Sequence, residues 1–158
     1  MKAVVYSTQS FEKEFLAKAN KKNHDITLIS NALGIDTVNF AEGKDAVIVF
    51  INDDVSSPVI KKLKEFGIKY IATRSSDTTN IDIKAASAAG MKVANVPQHF
   101  SNQYEAEAYQ KTAEQIIKNL NNWQANKCAG KACACANACQ KNNIPSKNVS
   151  SDDNQTPY

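Results

Sequence analysis

Glycine is scarce in this 158-residue chain, which has five: Gly34, Gly43, Gly67, Gly90 and Gly130. None of them forms a Gly-x-Gly-x-x-Gly run, so no strand–helix turn is built for the backbone to close on a pyrophosphate. Arg74 is the only arginine, and His24 and His99 are the only histidines. The net charge is +3, the lysines are scattered and no basic-aromatic patch forms, which argues against a nucleic-acid platform. No apolar run is long enough for a membrane span, and the opening MKAVVYSTQSF is no signal peptide; a cytoplasmic location is the expectation. No cysteine precedes Cys128, so no disulfide framework staples a core. With 42% apolar and 22% charged residues, the chain suits one soluble globular core.

The rest is organised around residues 69–97, KYIATRSSDTTNIDIKAASAAGMKVANVP. An apolar, β-branched strand (69–73) leads into a small polar run (74–79) that does not belong in a core. A short helix follows over 80–89, with Asp82 in its first turn and Gly90 as its left-handed stop. Residues 92–96 form a second strand, closed by Pro97. This is a βαβ unit, which implies parallel strands. Polar residues at the carboxyl end of a parallel strand mark where open α/β sheets take ligands, so 74–80 is the first candidate site.

Upstream, 3–6 reads as a strand, and 10–20 as a helix with Phe11, Phe15, Leu16 and Ala19 on one face and Ser7 or Thr8 as its cap. A second strand covers 25–29, and Val38, Phe40 and Ala41 suggest a short helix. The unbroken apolar run 46–51 reads as a central strand covered on both faces, with Asn52, Asp53 and Asp54 at its end. A helix with Pro58 in its first turn follows. The expected fold is α/β: a flavodoxin-like, doubly wound, parallel five-stranded sheet with an added C-terminal helix and a disordered tail. The expected divisions are 1–97 for the α/β unit, 98–125 for a long helix, 126–140 for a Cys-rich segment and 141–158 for a polar tail. The stripe of Tyr109, Ala113, Ile116, Ile117, Leu120 and Trp123 either lies across the sheet or meets another chain.

MKAVVYST, AVIVFINDD, KKLKEFGIKYIATR and TTNIDIKAASAAGMKVANVP stand in the order and spacing of the N-terminal part of the D-isomer-specific 2-hydroxyacid dehydrogenases. Over about residues 1–97 the chain resembles that family's flavodoxin-like substrate lobe. The resemblance implies NAD as cofactor and a 2-hydroxy or 2-oxo acid as substrate. In the family a second, Rossmann lobe binds NAD and supplies catalytic Arg, Glu and His, and a hinge helix joins the lobes after the NVP segment. This chain has no positions to receive that machinery, so no catalytic residue and no cofactor is expected for it alone.

The resemblance marks Arg74, Ser75, Ser76 and Asp77 as the substrate loop, with Asn52 and Asp53 bordering the cleft. Asp77 stands where the family usually has glycine. A carboxylate there repels an anion at 4 Å by ~1 kcal/mol in water and ~4 kcal/mol at an effective dielectric near 20. Gln98, His99 and Phe100 stand where the family has a Tyr; His99 either donates a hydrogen bond in its place or is a surface-loop histidine.

Outside the resemblance, Cys128-x4-Cys133-x-Cys135-x3-Cys139 is a candidate metal site. Wound as a helix, it would place Cys128, Cys135 and Cys139 on one side. Thiolates without nearby histidine favour Zn, Cu(I) or an iron–sulfur cluster; the bland alternative is an exposed, redox-sensitive tail. Asp53 and Asp54 read either as paired acids or as a solvated, helix-capping turn, the latter favoured. Ser7–Ser10 could hold a phosphate but lacks the glycine that would suit one, and Tyr104 and Tyr109 read as packing residues.

Two functions follow as expectations. One is a dehydrogenase-like module, inactive alone, that binds a small ligand or partner and carries a metal-binding Cys tail. The other is a split dehydrogenase subunit working with a separate NAD-binding partner. Homodimerisation would cover lost lobe edges. Neither nucleic acid nor membrane is an expected partner.

Overall fold

The computed structural model describes residues 1–97 and 105–136. His99, Tyr104, Cys139 and the tail beyond lie outside the described residues. Five strands, β1 (Lys2–Val5), β2 (Asp25–Leu28), β3 (Ala46–Val49), β4 (Tyr70–Thr73) and β5 (Lys92–Ala94), pair in parallel in the order β2-β1-β3-β4-β5. This is the flavodoxin-like order, and it places a switch in strand direction of travel between β1 and β3. The connections are α1 (Glu12–Asn20), a 3-10 turn (Val38–Ala41), α2 (Ser57–Glu65) and α3 (Ile83–Ala88). The long helix α4 (Glu105–Gln124) and a second 3-10 turn (Gly130–Ala132) follow.

Alternation along the strands sorts two cores, because successive side chains leave opposite faces of a sheet. Val4, Tyr6, Val47, Val49, Ile71 and Val93 pack with Val59, Ile60 and Leu63 of α2 and Ala86 of α3. On the other face, Ala3, Ala46, Ala72 and Ala94 leave room for Leu16 of α1 and for Ala113, Ile116, Ile117, Leu120 and Trp123 of α4. The stripe on α4 therefore lies across the sheet, packed beside α1. Trp123 is fully buried, and its ring stacks on Tyr70 with centroids 4.8 Å apart.

Local signals behave as their chemistry requires at α3, where the Asp82 side chain accepts from Ala85 N–H and Gly90 closes the segment at φ 79°. They do not at α1. Neither Ser7 nor Thr8 caps it: the Ser7 hydroxyl donates to Asp53 and that of Thr8 to the Val5 carbonyl. No side chain caps α1; the Glu12 Oε1 accepts instead from Gln9 N–H, in the turn ahead of the helix, at 2.8 Å.

The Cys segment is not the helix its spacing suggested. After the 3-10 turn, Cys133 is extended (φ −65°, ψ 123°) and forms an antiparallel bridge to Ala94. Asn95 N–H donates to Ala132 and Ala134 N–H to the Val93 carbonyl, both at 2.8 Å. The outer edge of β5 is thus paired, which removes a row of open donors and acceptors. Cys135 Sγ sits 3.2 Å from Val93 N–H. Among the described residues no helix is long and apolar enough to cross a membrane.

Candidate functional site

A cleft of about 540 Å³ opens at the carboxyl ends of β1, β3, β4 and β5. Its floor and walls come from Ser7, Phe50, Asn52 and the 74–77 loop, and α1 and α4 close one side with Phe11, Glu12 and Tyr109. Phe11 and Tyr109 face each other at 4.7 Å, and Phe15 backs Tyr109 at 5.8 Å. Tyr109 packs against both rings and also lines the cleft.

Arg74 is the centre of this arrangement, and it is not the surface residue its polar neighbours implied. It is only 6% exposed. Its Nε donates to Glu12 Oε2 at 2.9 Å, and its Nη1 and Nη2 donate to the carbonyls of Tyr6 and Ser7, both at 3.0 Å. The guanidinium also lies over the Phe50 ring, 5.1 Å from its centroid. Burial lowers its pKa from the usual arginine value, and the charges of Glu12 and Asp53 oppose that fall. A rigid planar fork suits three acceptors set at different angles, and no lysine would reach all of them.

Asp53 is likewise buried, at 2% exposure, not part of a solvated turn. Its Oδ1 accepts from the Ser7 hydroxyl (2.6 Å) and Leu33 N–H (2.7 Å), and its Oδ2 from Phe50 N–H (2.7 Å). It ties the ends of β1, β2 and β3 together. Burial, and after it the charge of Asp53, raise the pKa of the Tyr6 hydroxyl, which donates to the Thr37 carbonyl. Ser7 is held at φ 56°, a left-handed conformation unusual for a residue with a side chain. Its N–H bonds Asn31, its hydroxyl Asp53, and its carbonyl accepts from Arg74. Three bonds of this kind are what keep such a residue in place.

Two hydrogen bonds close the 75–79 turn from within, and one ties it back to the end of β4. Ser75 N–H donates to Thr73 Oγ1 (3.2 Å), Asp77 N–H to Ser75 Oγ (3.0 Å) and Thr79 N–H to Asp77 Oδ1 (2.8 Å). The backbone and side-chain hydrogen bonds from Thr79 lower the pKa of the exposed Asp77 carboxyl, so it stays ionised to below the ordinary aspartate range. The Asn80 amide anchors the loop to the carbonyls of Phe50 and Asp53, and the Asn95 amide donates to the Ser76 carbonyl. Asn119, buried on α4, donates in turn to the Asn95 carbonyl.

Of the sequence-derived substrate residues, Asn52, Arg74, Ser75, Ser76 and Asp77 line the cleft together. Asp53 stands behind it, and His99 is outside the described residues. Phe11, Glu12 and Tyr109 were not among those candidates. Only the helix-face pattern of α1 and α4 could have pointed to them.

None of the five glycines lines the cleft, and the β1–α1 junction from Ser7 to Phe11 carries none, so its residues do not fit a pyrophosphate. Among the described residues no group of three or more His, Cys, Asp or Glu side chains could hold a metal ion, so the proposed thiolate site at Cys128, Cys133 and Cys135 finds no support there.

Residues 3–133 match the sequence profile of the D-isomer specific 2-hydroxyacid dehydrogenase catalytic domain. The match runs past Pro97, where the sequence motifs stopped, to take in α4 and the edge segment. D-lactate dehydrogenase of Escherichia coli (strain K12) is 37% identical over 77% of this chain and 36% of its own length. An aromatic 2-oxoacid reductase of Clostridium sporogenes (strain ATCC 15579) is 35% identical over 65% of this chain and 31% of its own length. Among solved structures, apo D-lactate dehydrogenase from Escherichia coli superposes with a TM-score of 0.62 at 39% identity, over 63% of this chain and 32% of that one. The chain thus spans about a third of the length of these relatives. By its sheet order and by the profile that covers both its sheet and α4, the chain belongs to the D-isomer specific 2-hydroxyacid dehydrogenase family, in that family's catalytic domain.

Proposed function

We propose that this chain binds a small organic molecule in the cleft above β1, β3 and β4 and does not itself turn over a 2-hydroxy acid. The observation that carries this reading is how the charged groups of the cleft are employed. Glu12 and Arg74 hold each other, and Asp77 holds Thr79. A dehydrogenase needs a hydride acceptor beside the substrate carbon and a base for the hydroxyl proton. No histidine lines the cleft among the described residues, and no glycine turn receives a dinucleotide. The 540 Å³ of space and the aromatic wall nonetheless suit a small molecule. The test is an assay of D-lactate oxidation and pyruvate reduction with NAD(H) on the purified chain. No turnover above the uncatalysed rate is expected, and clear catalysis would overturn the reading.

A second reading has its own support. Phe11 and Ile51, 46% and 49% exposed, stand at the mouth of the cleft. Apolar residues there suit a partner that closes over the cleft. In this reading the chain is one subunit of a dehydrogenase, and a separate NAD-binding subunit supplies cofactor and catalytic groups. Co-purification from the native cells decides it: a companion carrying a Gly-x-Gly-x-x-Gly lobe, and restoring turnover, would establish it.

A further inference from the structure

Asn119 is completely buried on the face of α4 that otherwise carries Ile116, Leu120 and Trp123. A polar side chain there is costly unless its donors and acceptors are matched. Its Oδ1 accepts from Gln115 Nε2 at 2.9 Å, and its Nδ2 donates to the Asn95 carbonyl at 3.2 Å. Asn95 follows β5 and is gripped a second time through its own N–H, which donates to the Ala132 carbonyl at 2.8 Å. It passes the hold on, because its Nδ2 donates to the Ser76 carbonyl at 3.1 Å. Beside it, Val96 N–H donates to the Ser75 carbonyl at 3.1 Å. Two successive carbonyls of the cleft loop are thus turned towards the end of β5.

That orients the N–H groups too. In a trans peptide the C=O and the following N–H point in opposite directions, and none of the described peptide bonds is cis. With the Ser75 carbonyl drawn to β5, the Ser76 N–H faces the β3 side, where Phe50, Ile51 and Asn52 line the cleft. The N–H groups of Ser75, Asp77 and Thr79 are taken by Thr73 Oγ1, Ser75 Oγ and Asp77 Oδ1. Those of Ser76 and Thr78 make no hydrogen bond among the described residues, and of these two residues only Ser76 lines the cleft. The carboxylate of Asp77 is exposed, where water screens its charge.

We propose that Asn95, seated by Asn119, is a positioning residue: it turns the Ser76 N–H to the cleft as a donor to a ligand's carboxylate oxygen, and so ties the cleft's affinity for acids to the seat of α4. This rests on the reading of the cleft as a small-molecule site and adds what sets its donor.

The test titrates the full chain at about pH 7, where a carboxylic acid is ionised. The probes are D-phenyllactate, a 2-hydroxy acid whose ring suits the aromatic wall, and its neutral amide, which differs at one end only. Binding is followed by calorimetry and by the amide NMR signal of Ser76. A hydrogen bond to an ionised oxygen is about twice as strong as one to a neutral oxygen, so the acid is expected to bind about tenfold more tightly than the amide and to shift the Ser76 signal. In Asn95→Ala that ratio should fall to about threefold or less, and in Asn119→Ala part of the way, with the amide's own affinity within about threefold of the unaltered chain's. The amide is the control for the fold, because a merely structural role would lower both affinities together. Asn95→Ala, at a half-buried position, carries the test should Asn119→Ala fail to fold. Both affinities falling together would overturn the positioning role. So would a ratio unchanged in Asn95→Ala, or an acid no tighter than the amide in the unaltered chain; each leaves the small-molecule site standing. A ratio that falls in Asn95→Ala and not in a folded Asn119→Ala would overturn the part given to α4. No binding by either probe would overturn the site and this inference together.

Discussion

Two buried charges hold the cleft in shape. Asp53 accepts from three groups that lie far apart in sequence, Ser7, Leu33 and Phe50. Removing it orphans three buried donors at once, and hydrogen bonds to a charged partner count for about 1.5–3 kcal/mol each. The losses overlap because the site can relax, so Asp53→Ala should destabilise the fold by about 3–5 kcal/mol. Urea unfolding measures this; a cost under about 1 kcal/mol would show that Asp53 is not the tie it looks like. Asp53→Asn keeps two of its acceptor positions and should cost less. Neither the burial of Asp53 nor that of Arg74 was legible in the sequence. An Asn-Asp-Asp run and an Arg-Ser-Ser-Asp run read locally as solvated loops. What buries them is the convergence of three strand ends, a relation between residues up to 68 positions apart.

At the scale of elements, α4 is the half of the second core that lies outside the βαβ pattern. Four of the strand residues on that face are alanines, and the volume over them is filled from α4, most of all by Trp123. Trp123→Ala removes a fully buried ring and its stacking on Tyr70, and should cost about 3–5 kcal/mol. Thermal or urea unfolding checks it. Conversion at this position should also loosen the cleft, because α4 carries Tyr109 into it and braces Asn95 through Asn119. The period of the α4 stripe was readable as a helix with one apolar face. Its destination was not, since the same stripe serves equally well between two chains. The Cys segment shows the converse: its spacing allowed a helix, yet pairing with the open edge of β5 draws Cys133 into an extended bridge.

Over the whole molecule, the two cores share one sheet whose strands are only three or four residues long. Such a sheet is stable when both faces are covered. A chain ending at Pro97 would leave Ala3, Val5, Ala46, Ile48, Ala72 and Ala94 without α4. It should bind hydrophobic dyes and self-associate, and size-exclusion chromatography with dye fluorescence would show it. A stable monomer with the unfolding midpoint of the full chain would contradict this account of α4. The profile match to residue 133 agrees with treating the sheet, α4 and the edge segment as one folded unit.

Hydrophobic alternation, glycine stops and polar strand ends, all properties of neighbouring residues, were enough to establish five parallel strands and the α-helices α1, α2 and α3 between them. Periodicity survives in the chain because each element must present one face inward wherever it finally packs. The pairing of Arg74 with Glu12, the burial of Asp53, the docking of α4 and the anchoring of the 74–80 loop through Asn80 and Asn95 had to wait for the packed molecule. Each depends on which distant groups meet in a space closed to water, where an unmatched charge or donor is costly and a matched one holds the site together.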